Sequence, residues 1–292
     1  MGRAWIDAHT GGVTGRPFEV KPSALQYADE RLTIENLVID ASGSTLTVKG
    51  ELPLTDRAGQ GDVAVDLNSN LATLFQYLPA DTPVAGDGAL TLTGSLKGTL
   101  KAIDPDLVLK IEDGLVLSRY LEPGFSNIQL QAKVANGEAT IENLTGNWGA
   151  ATFEASGRVP LEVVPPLPVE IPRMGGPSTL KAAVKGLNPA AIPGASAQIG
   201  GVISVAAELS ATRPDLAALD GKVTFPELAV TYNALELAQK EISSIAIAAG
   251  AASIEQFELT GSAGTIAAMG RVGLPGGRAL HLDGGGMLKA GA

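Results

Sequence analysis

Few side chains in this sequence are of the types that carry acid–base, nucleophilic or metal chemistry. The only two histidines, His9 and His281, lie near opposite ends of the 292-residue chain, and neither has a carboxylate at ligand spacing. The chain has no cysteine, which excludes a thiolate metal site and a Cys–His pair. No Ser–His–Asp arrangement can be built around either histidine. The sequence therefore predicts a protein that is not an enzyme, with no catalytic residue, metal or cofactor.

Two further groups resemble functional motifs only superficially. Glu112 and Asp113 are adjacent, so in a strand their side chains point to opposite faces and cannot act together as acid and base. We interpret this pair as part of a solvated turn. Gly200-Gly201 and Gly284-Gly285-Gly286 are not followed by a helix carrying a lysine, which a phosphate-binding loop requires.

Composition and charge narrow the class of protein. Hydrophobic residues make up 45% of the chain but aromatic residues only 4%, and there are 36 glycines. Aliphatic residues and glycine without large rings favour a thin all-β structure over a compact globular core. The net charge of −10 argues against a nucleic-acid partner, because phosphate binding needs a concentrated basic surface.

No apolar run approaches the ~20 residues of a membrane span, and no signal peptide follows Met1. We expect the chain to be an internal or C-terminal fragment of a longer protein.

One 21-residue pattern occurs three times without a gap, at residues 34–54, 141–161 and 254–274. Each copy begins Ile-Glu-Asn-Leu or, in the third, Ile-Glu-Gln-Phe, and continues through a turn into an alternating apolar run that contains a glycine. This pattern predicts a β-hairpin. The second copy follows the first by 107 residues and precedes the third by 113, which indicates repeats of ~110 residues, longer than those of common solenoids.

The spacing of the copies divides the chain into five parts. Residues 1–54 are the end of a first repeat, 55–161 a second repeat and 177–274 a third. Residues 162–176 form a Pro-rich connection, interpreted as a surface loop or edge segment. Residues 275–292 begin a further element or form a tail.

A short helix is predicted near residues 71–78. Leu71, Leu74, Phe75 and Leu78 follow helical spacing, Asn68-Ser69-Asn70 offers a cap, and Pro79 ends the run. Weaker helical candidates lie near residues 234–240.

The rest of the chain reads as strands, and a sheet with one apolar face must cover that face. Because little of the sequence can form a second layer, we predict an elongated, curled (taco- or U-shaped), antiparallel-rich sheet with a hydrophobic groove and a short helix in each repeat. Gly50, Gly94, Gly157 and Gly270 within strands fit the bends and bulges that curling requires. A β-helix or a set of sandwiches, each with a filled core, remains as an alternative.

The residues expected to line the groove share an aliphatic or aromatic side chain at alternating strand positions. They are Leu46, Val48, Leu90, Leu92, Leu96, Leu100, Leu109, Ile111, Leu130, Val134, Phe153, Val159, Leu161, Ile203, Val205, Leu209, Ile245, Ile247, Ile266 and Val272. A lining without polar anchors suits acyl chains, which offer nothing to hydrogen-bond.

The repeated pattern resembles that of the TamB and AsmA-like envelope proteins of Gram-negative bacteria, over nearly the whole chain. Gly86-Asp87-Gly88-Ala89-Leu90-Thr91-Leu92-Thr93-Gly94 and Asn147-Trp148-Gly149-Ala150-Ala151-Thr152-Phe153 also read like those repeats. The resemblance implies a β-groove in the periplasm, anchored in the inner membrane by an N-terminal segment that we expect to lie outside this chain. It implies phospholipid as the ligand and an outer-membrane TamA-like barrel protein as a partner.

From these observations we expect a segment of a protein that conducts phospholipid acyl chains between the inner and outer membranes. Two other functions stay open at this point. One is a scaffold for outer-membrane protein assembly and secretion that pairs through sheet edges. The other is a structural or adhesive β-repeat protein with a filled core.

Overall fold

A computed structural model describes residues 2–6, 9–13, 16–55, 59–76, 78, 82–99, 101–163, 170–196, 198–213, 215–233, 235–262, 264–273 and 281–288. For residues 2–6, 9–13, 16, 121, 163, 255, 256 and 281–288 it describes the backbone alone. The predicted lining residue Leu100 and part of the Pro-rich connection lie outside the described residues.

The strands are β1 (Gly2–Ile6), β2 (His9–Val13), β3 (Arg16–Val20), β4 (Ser23–Ala28), β5 (Arg31–Ala41), β6 (Ser44–Pro53), β7 (Gly61–Asn70), β8 (Val84–Gly98), β9 (Ile103–Ser118), β10 (Leu121–Ala135), β11 (Glu138–Trp148), β12 (Ala151–Pro160), β13 (Ser178–Leu187), β14 (Ile199–Ala211), β15 (Leu219–Tyr232), β16 (Leu235–Gln239), β17 (Ser243–Ala248), β18 (Ala251–Gly261), β19 (Gly264–Gly273) and β20 (His281–Leu288). Among the described residues there is one α-helix, α1 (Leu71–Phe75), and 3₁₀ turns span Leu161–Val163, Pro189–Ala191 and Leu216–Ala218.

The predicted all-β class is confirmed, since strands hold 75% of the residues and helices 6%. The helix predicted at 71–78 forms where expected but is shorter, ending at Phe75. The helical candidate near 234–240 is wrong, because Leu235–Gln239 is the strand β16, hydrogen-bonded on both sides.

The chain divides into two compact units. The first comprises Met1–Ser118, Asn127–Asn143 and Pro160–Gly175, and the second Arg119–Ser126, Leu144–Val159 and Gly176–Ala292. In the first unit β4 to β9 pair successively as antiparallel neighbours, and β1 pairs with β4. In the second, β12 to β15 do the same, followed by β17, β18, β19 and β20.

The repeated pattern encodes a β-bulge. In β5 and β6, Ile34 pairs with Gly50 and Leu37 with Val48, so three steps on one strand match two on the other. In β18 and β19, Ile254 pairs with Gly270 and Phe257 with Ala268, which is the same displacement. The extra residue lies in the Glu-Asn or Glu-Gln pair, and it keeps the apolar residues on both sides of it on one face of the sheet.

The glycine opposite each bulge is required by its conformation and by its neighbour. Gly50 has a φ of +141° and Gly270 a φ of +148°, a region that other residues rarely adopt. A Cβ at Gly50 would lie 2.2 Å from the Asp62 carbonyl oxygen on β7. The glycine therefore allows the adjacent strand of the same sheet to approach.

The strand position next to each bulge is interrupted. β3 and β4 both pair with β5 and are separated by Lys21-Pro22. Likewise β16 and β17 both lie between β15 and β18, separated by Lys240–Ile242. The matching position of β10 is Asn127, which has a φ of +50° in an otherwise continuous strand. A bulge disturbs the ladder and increases the local twist, which accounts for an irregularity at the same place in each copy.

A capped helical turn follows the hairpin's next strand in both later repeats. Asn70 caps α1 by accepting a hydrogen bond from the Ala72 amide at 2.7 Å. Asn188 caps the 3₁₀ turn at Pro189–Ala191 by accepting one from the Ala190 amide at 3.0 Å. The predicted helix per repeat is thus an α-helix in one repeat and a 3₁₀ turn in the other.

Candidate functional site: the apolar sheet faces

The first unit carries a continuous apolar face built by strand register. Its central row joins five strands through directly paired residues: Ile39, Leu46, Leu67, Leu92 and Leu109. Two parallel rows are Leu37, Val48, Val65, Gly94 and Leu107, and Ile34, Gly50, Val63, Leu96 and Pro105. None of these fifteen positions carries a polar side chain. Since neighbouring strands lie ~4.8 Å apart, a five-strand row is ~19 Å long.

The opposite face of the same strands is polar except at Ala64 and Val108. Its rows are Thr45, Asn68, Thr91 and Lys110; Thr47, Asp66, Thr93 and Val108; Lys49, Ala64, Ser95 and Asp106; and Glu51, Asp62, Lys97 and Asp104. The alternation therefore separates a water-facing side from an aliphatic side across the whole unit.

The second unit repeats this arrangement over seven strands. One row is Ala155, Ala182, Ala207, Val223, Ile245, Ile254 and Gly270, and the next is Gly157, Leu180, Leu209, Gly221, Ile247, Ala252 and Val272. On its polar face, Lys181 pairs with Glu208 at 3.1 Å and Lys185 with Glu154 at 3.0 Å. Both ion pairs are exposed, so each adds little stability.

The side chains of the apolar faces are only half buried. All five members of the central row in the first unit are neither enclosed nor fully exposed. In the second unit Leu180 is 40% exposed and Ile266 38%. Some described members of these faces are enclosed, among them Val63 at 5% exposure and Leu90 at 6%. A filled core would enclose most of these side chains, since interiors are close-packed.

The predicted lining residues fall in both units. Leu46, Val48, Leu90, Leu92, Leu96, Leu109 and Ile111 share the first apolar face, and Ile203, Val205, Leu209, Ile245, Ile247, Ile266, Val272, Phe153 and Val159 share the second. Leu130 and Val134 are half-buried residues of β10. Leu161 lies in a 3₁₀ turn and is 7% exposed.

Register adds residues that pattern reading omitted. Ile39, Leu67 and Leu107 belong to the rows of the first unit, and Val184 and Val223 to those of the second. Ile34 and Leu37, which flank the bulge, were also omitted, because they are three residues apart and do not fit strict alternation. That three-residue spacing inside a strand pattern was the available signal.

An aromatic cluster interrupts the aliphatic face of the second unit. The Phe125 ring lies 5.3 Å from that of Phe153, edge to face, and 5.9 Å from that of Trp148. Phe153 pairs with Val184 and its ring covers Gly146, where a Cβ would lie 2.5 Å from Phe153 Cζ. Gly146 and Trp148 are two residues apart in β11, so their positions share this face.

Two carboxylates at the strand ends are held ionised by local hydrogen bonds. The Asn70 side-chain amide donates to Asp87 at 2.7 Å and the Gly88 amide at 2.8 Å, which together lower the pKa of Asp87. The Lys21 ammonium, 2.6 Å from Asp40, and the Thr45 hydroxyl lower the pKa of Asp40. Asp87 thereby holds the residue that caps α1.

The described residues contain no group of three or more His, Cys, Asp or Glu side chains that could hold a metal ion. Glu112 and Asp113 are both exposed, and Asp113 accepts a hydrogen bond from Gln129 at 3.0 Å. Asp113 has a φ of +51° at a bulge between β8 and β9, so our argument from strict alternation does not apply to this pair.

Within the part of the chain that the structure describes, no helix is long and apolar enough to cross a membrane. Searches against protein-family models, curated proteins and solved structures find no match for this chain.

Proposed function

We propose that this chain is a segment of a periplasmic, TamB/AsmA-like envelope protein whose apolar sheet faces bind phospholipid acyl chains and conduct them between membranes. The observation that carries the proposal is the half-buried aliphatic row, five strands long in the first unit and seven in the second.

The energetics of such a surface favour an acyl chain. Each methylene group removed from water contributes ~0.8 kcal/mol, and the rows offer only aliphatic, glycine and proline partners for it. Polar groups on the face would instead fix a ligand in place by hydrogen bonds. A surface of uniform aliphatic contacts allows a chain to shift from one row to the next at little cost.

The partial exposure of the rows supports lipid binding over a filled structural core. Side chains such as Leu92 and Leu180 keep part of their surface free. Contiguous exposed apolar surface usually marks an interaction site, because a soluble protein otherwise hides it.

The test places a charge on the apolar face and, as a matched control, on the polar face one residue away. In Leu92→Asp the carboxylate lies in the central row, where ionised groups are costly beside an acyl chain. In Thr93→Asp it lies on the exposed side of the same strand. Val205→Asp makes the equivalent change in the second unit.

We expect Leu92→Asp and Val205→Asp to reduce transfer of phosphatidylethanolamine between vesicles by about tenfold or more, the equivalent of 1.4 kcal/mol. Thr93→Asp should transfer at the wild-type rate. Far-UV circular dichroism establishes that each variant is folded. Equal transfer by all three variants, or no co-purifying lipid in mass spectra of the wild type, would refute the proposal.

A further inference from the structure

The aromatic cluster of Phe125, Trp148 and Phe153 is specific to one copy of the repeated hairpin. At the positions of Trp148 and Phe153, the first copy has Ala41 and Leu46, and the third has Gly261 and Ile266. The other copies thus continue the aliphatic face where this one places two large rings.

The indole N–H of Trp148 is a polar group that packing alone does not satisfy. Its Nε1–H is enclosed by protein and has no hydrogen-bond partner among the described residues. Buried donors are nearly always paired, so an unpaired one calls for an acceptor from elsewhere. The acceptor must reach an otherwise apolar surface.

The position of the cluster limits what that acceptor can be. Trp148 ends β11, and the turn at Gly149-Ala150 that follows is exposed. Phe153 pairs with Val184 on the next strand, and Val184 pairs with Val205, so the cluster joins a row of the aliphatic face. The cluster therefore joins the aliphatic face to an exposed turn, and Trp148 Nε1–H is its one side-chain donor, which a ligand reaches only by displacing protein atoms that enclose it. A ligand that matches has an uncharged acceptor directly attached to long apolar chains.

We infer that this cluster anchors the glycerol-ester region of a bound lipid, with Trp148 Nε1–H donating to an ester carbonyl oxygen. The acyl chain then extends over Phe153 and Val184 onto the aliphatic rows, and the headgroup stays at the exposed turn. This inference rests on the proposed function, and it adds a fixed binding position to an otherwise uniform surface. Tryptophan suits such a boundary, since its ring is apolar and its N–H is polar.

The experiment compares a diester phospholipid, dioleoyl phosphatidylcholine, with its diether analogue, which lacks the carbonyl oxygens. We expect Trp148→Phe, which keeps an aromatic ring, to weaken binding of the diester by about threefold to tenfold, as for loss of one hydrogen bond. Binding of the diether should be unchanged by the substitution. Phe153→Leu, the residue type of the first copy, keeps the donor and alters only the acyl-chain contact, so it should change binding of the diester and of the diether equally.

Fluorescence gives an independent readout, because Trp5 is the only other tryptophan. In a Trp5→Phe background, diester lipid brominated near the glycerol end of the acyl chain should quench Trp148 more than lipid brominated near the chain terminus. Equal affinity of wild type and Trp148→Phe for the diester, or equal quenching by both lipids, would overturn the inference. Failure of the protein to bind either lipid would instead refute the proposed function.

Discussion

Single residues on this sheet have effects that depend on which face they occupy. Leu92 and Thr93 are neighbours in β8, yet one belongs to a row of five aliphatic side chains and the other to a polar row. The same substitution should therefore be made at two neighbouring positions of one strand, because the two variants then differ only in the sheet face that carries the change.

The ion pair between Lys21 and Asp40 makes a pH-dependent contribution to stability. Asp40 accepts hydrogen bonds from the Lys21 ammonium and the Thr45 hydroxyl, and these lower the pKa of Asp40 below the ordinary value of 3.8. A carboxyl group with a depressed folded-state pKa contributes stability above its unfolded pKa, and this contribution is lost as the pH falls through the folded pKa. We expect Asp40→Asn to lower the free energy of unfolding slightly at pH 7, and the difference from wild type to shrink as the pH falls below 3.8.

Urea unfolding at several pH values measures this difference. Lys21→Met should reproduce the effect of Asp40→Asn, and the double variant should be no less stable than either single one. Both side chains are partly exposed, at 50% and 33%, so the effect is small. A difference that persists unchanged at pH 2 would show that the pair does not act through ionisation.

Much of the apolar face could be predicted at the level of residues, and its interruptions could not. Alternation identified Leu46, Leu92 and Val205, because a strand of period two puts such residues on one side. It could not reveal that Trp148 lacks a hydrogen-bond acceptor, since that depends on the positions of side chains from other strands.

At the level of elements, the repeated hairpin is defined by its bulge and its glycine together. Hairpin positions were predictable from the three copies of the pattern. Bends or bulges were expected at Gly50, Gly157 and Gly270, but the extra residue in the Glu-Asn pair was not, because the copies were interpreted as simple alternation. The interruptions at Lys21-Pro22 and Lys240–Ile242 follow from the neighbouring bulge, which is a non-local effect.

Gly50→Ala tests the role of this glycine. The new Cβ meets the Asp62 carbonyl oxygen at 2.2 Å and Val63 Cα at 2.8 Å, and the φ of +141° is strained for alanine. We expect a loss of about 1–3 kcal/mol or more in the free energy of unfolding, measured in urea. Gly43→Ala is the control, since its φ is +90° with nothing within 4 Å of the added Cβ. Equal losses in both variants would assign the cost to φ alone and contradict a role for strand approach.

For the whole molecule, the net charge of −10 bears on which membrane surfaces the protein approaches. Like charges slow encounter, and salt screens this effect over a Debye length of ~10 Å at 0.1 M. If the chain takes up lipid as proposed, uptake from phosphatidylglycerol vesicles should be slower than from phosphatidylcholine vesicles at low salt. The gap should close at 0.5 M salt.

Stopped-flow fluorescence of labelled lipid measures these rates. A gap that is independent of salt would mean that lipid chemistry, not net charge, controls uptake.

At this scale the sequence predicted the all-β class and the repeat, because both depend on composition and period. Curvature of the sheet stays a prediction, since neither property determines it.

The interruption between β16 and β17 also has a practical consequence. Lys240, Glu241 and Ile242 are all exposed, and the strands on either side of them are paired independently with β15 and β18. Extra sequence at such a point leaves the flanking ladders unchanged, as in exposed loops that accept insertions. This position can therefore carry an affinity tag or a spectroscopic label within the sheet, which continuous strands do not permit.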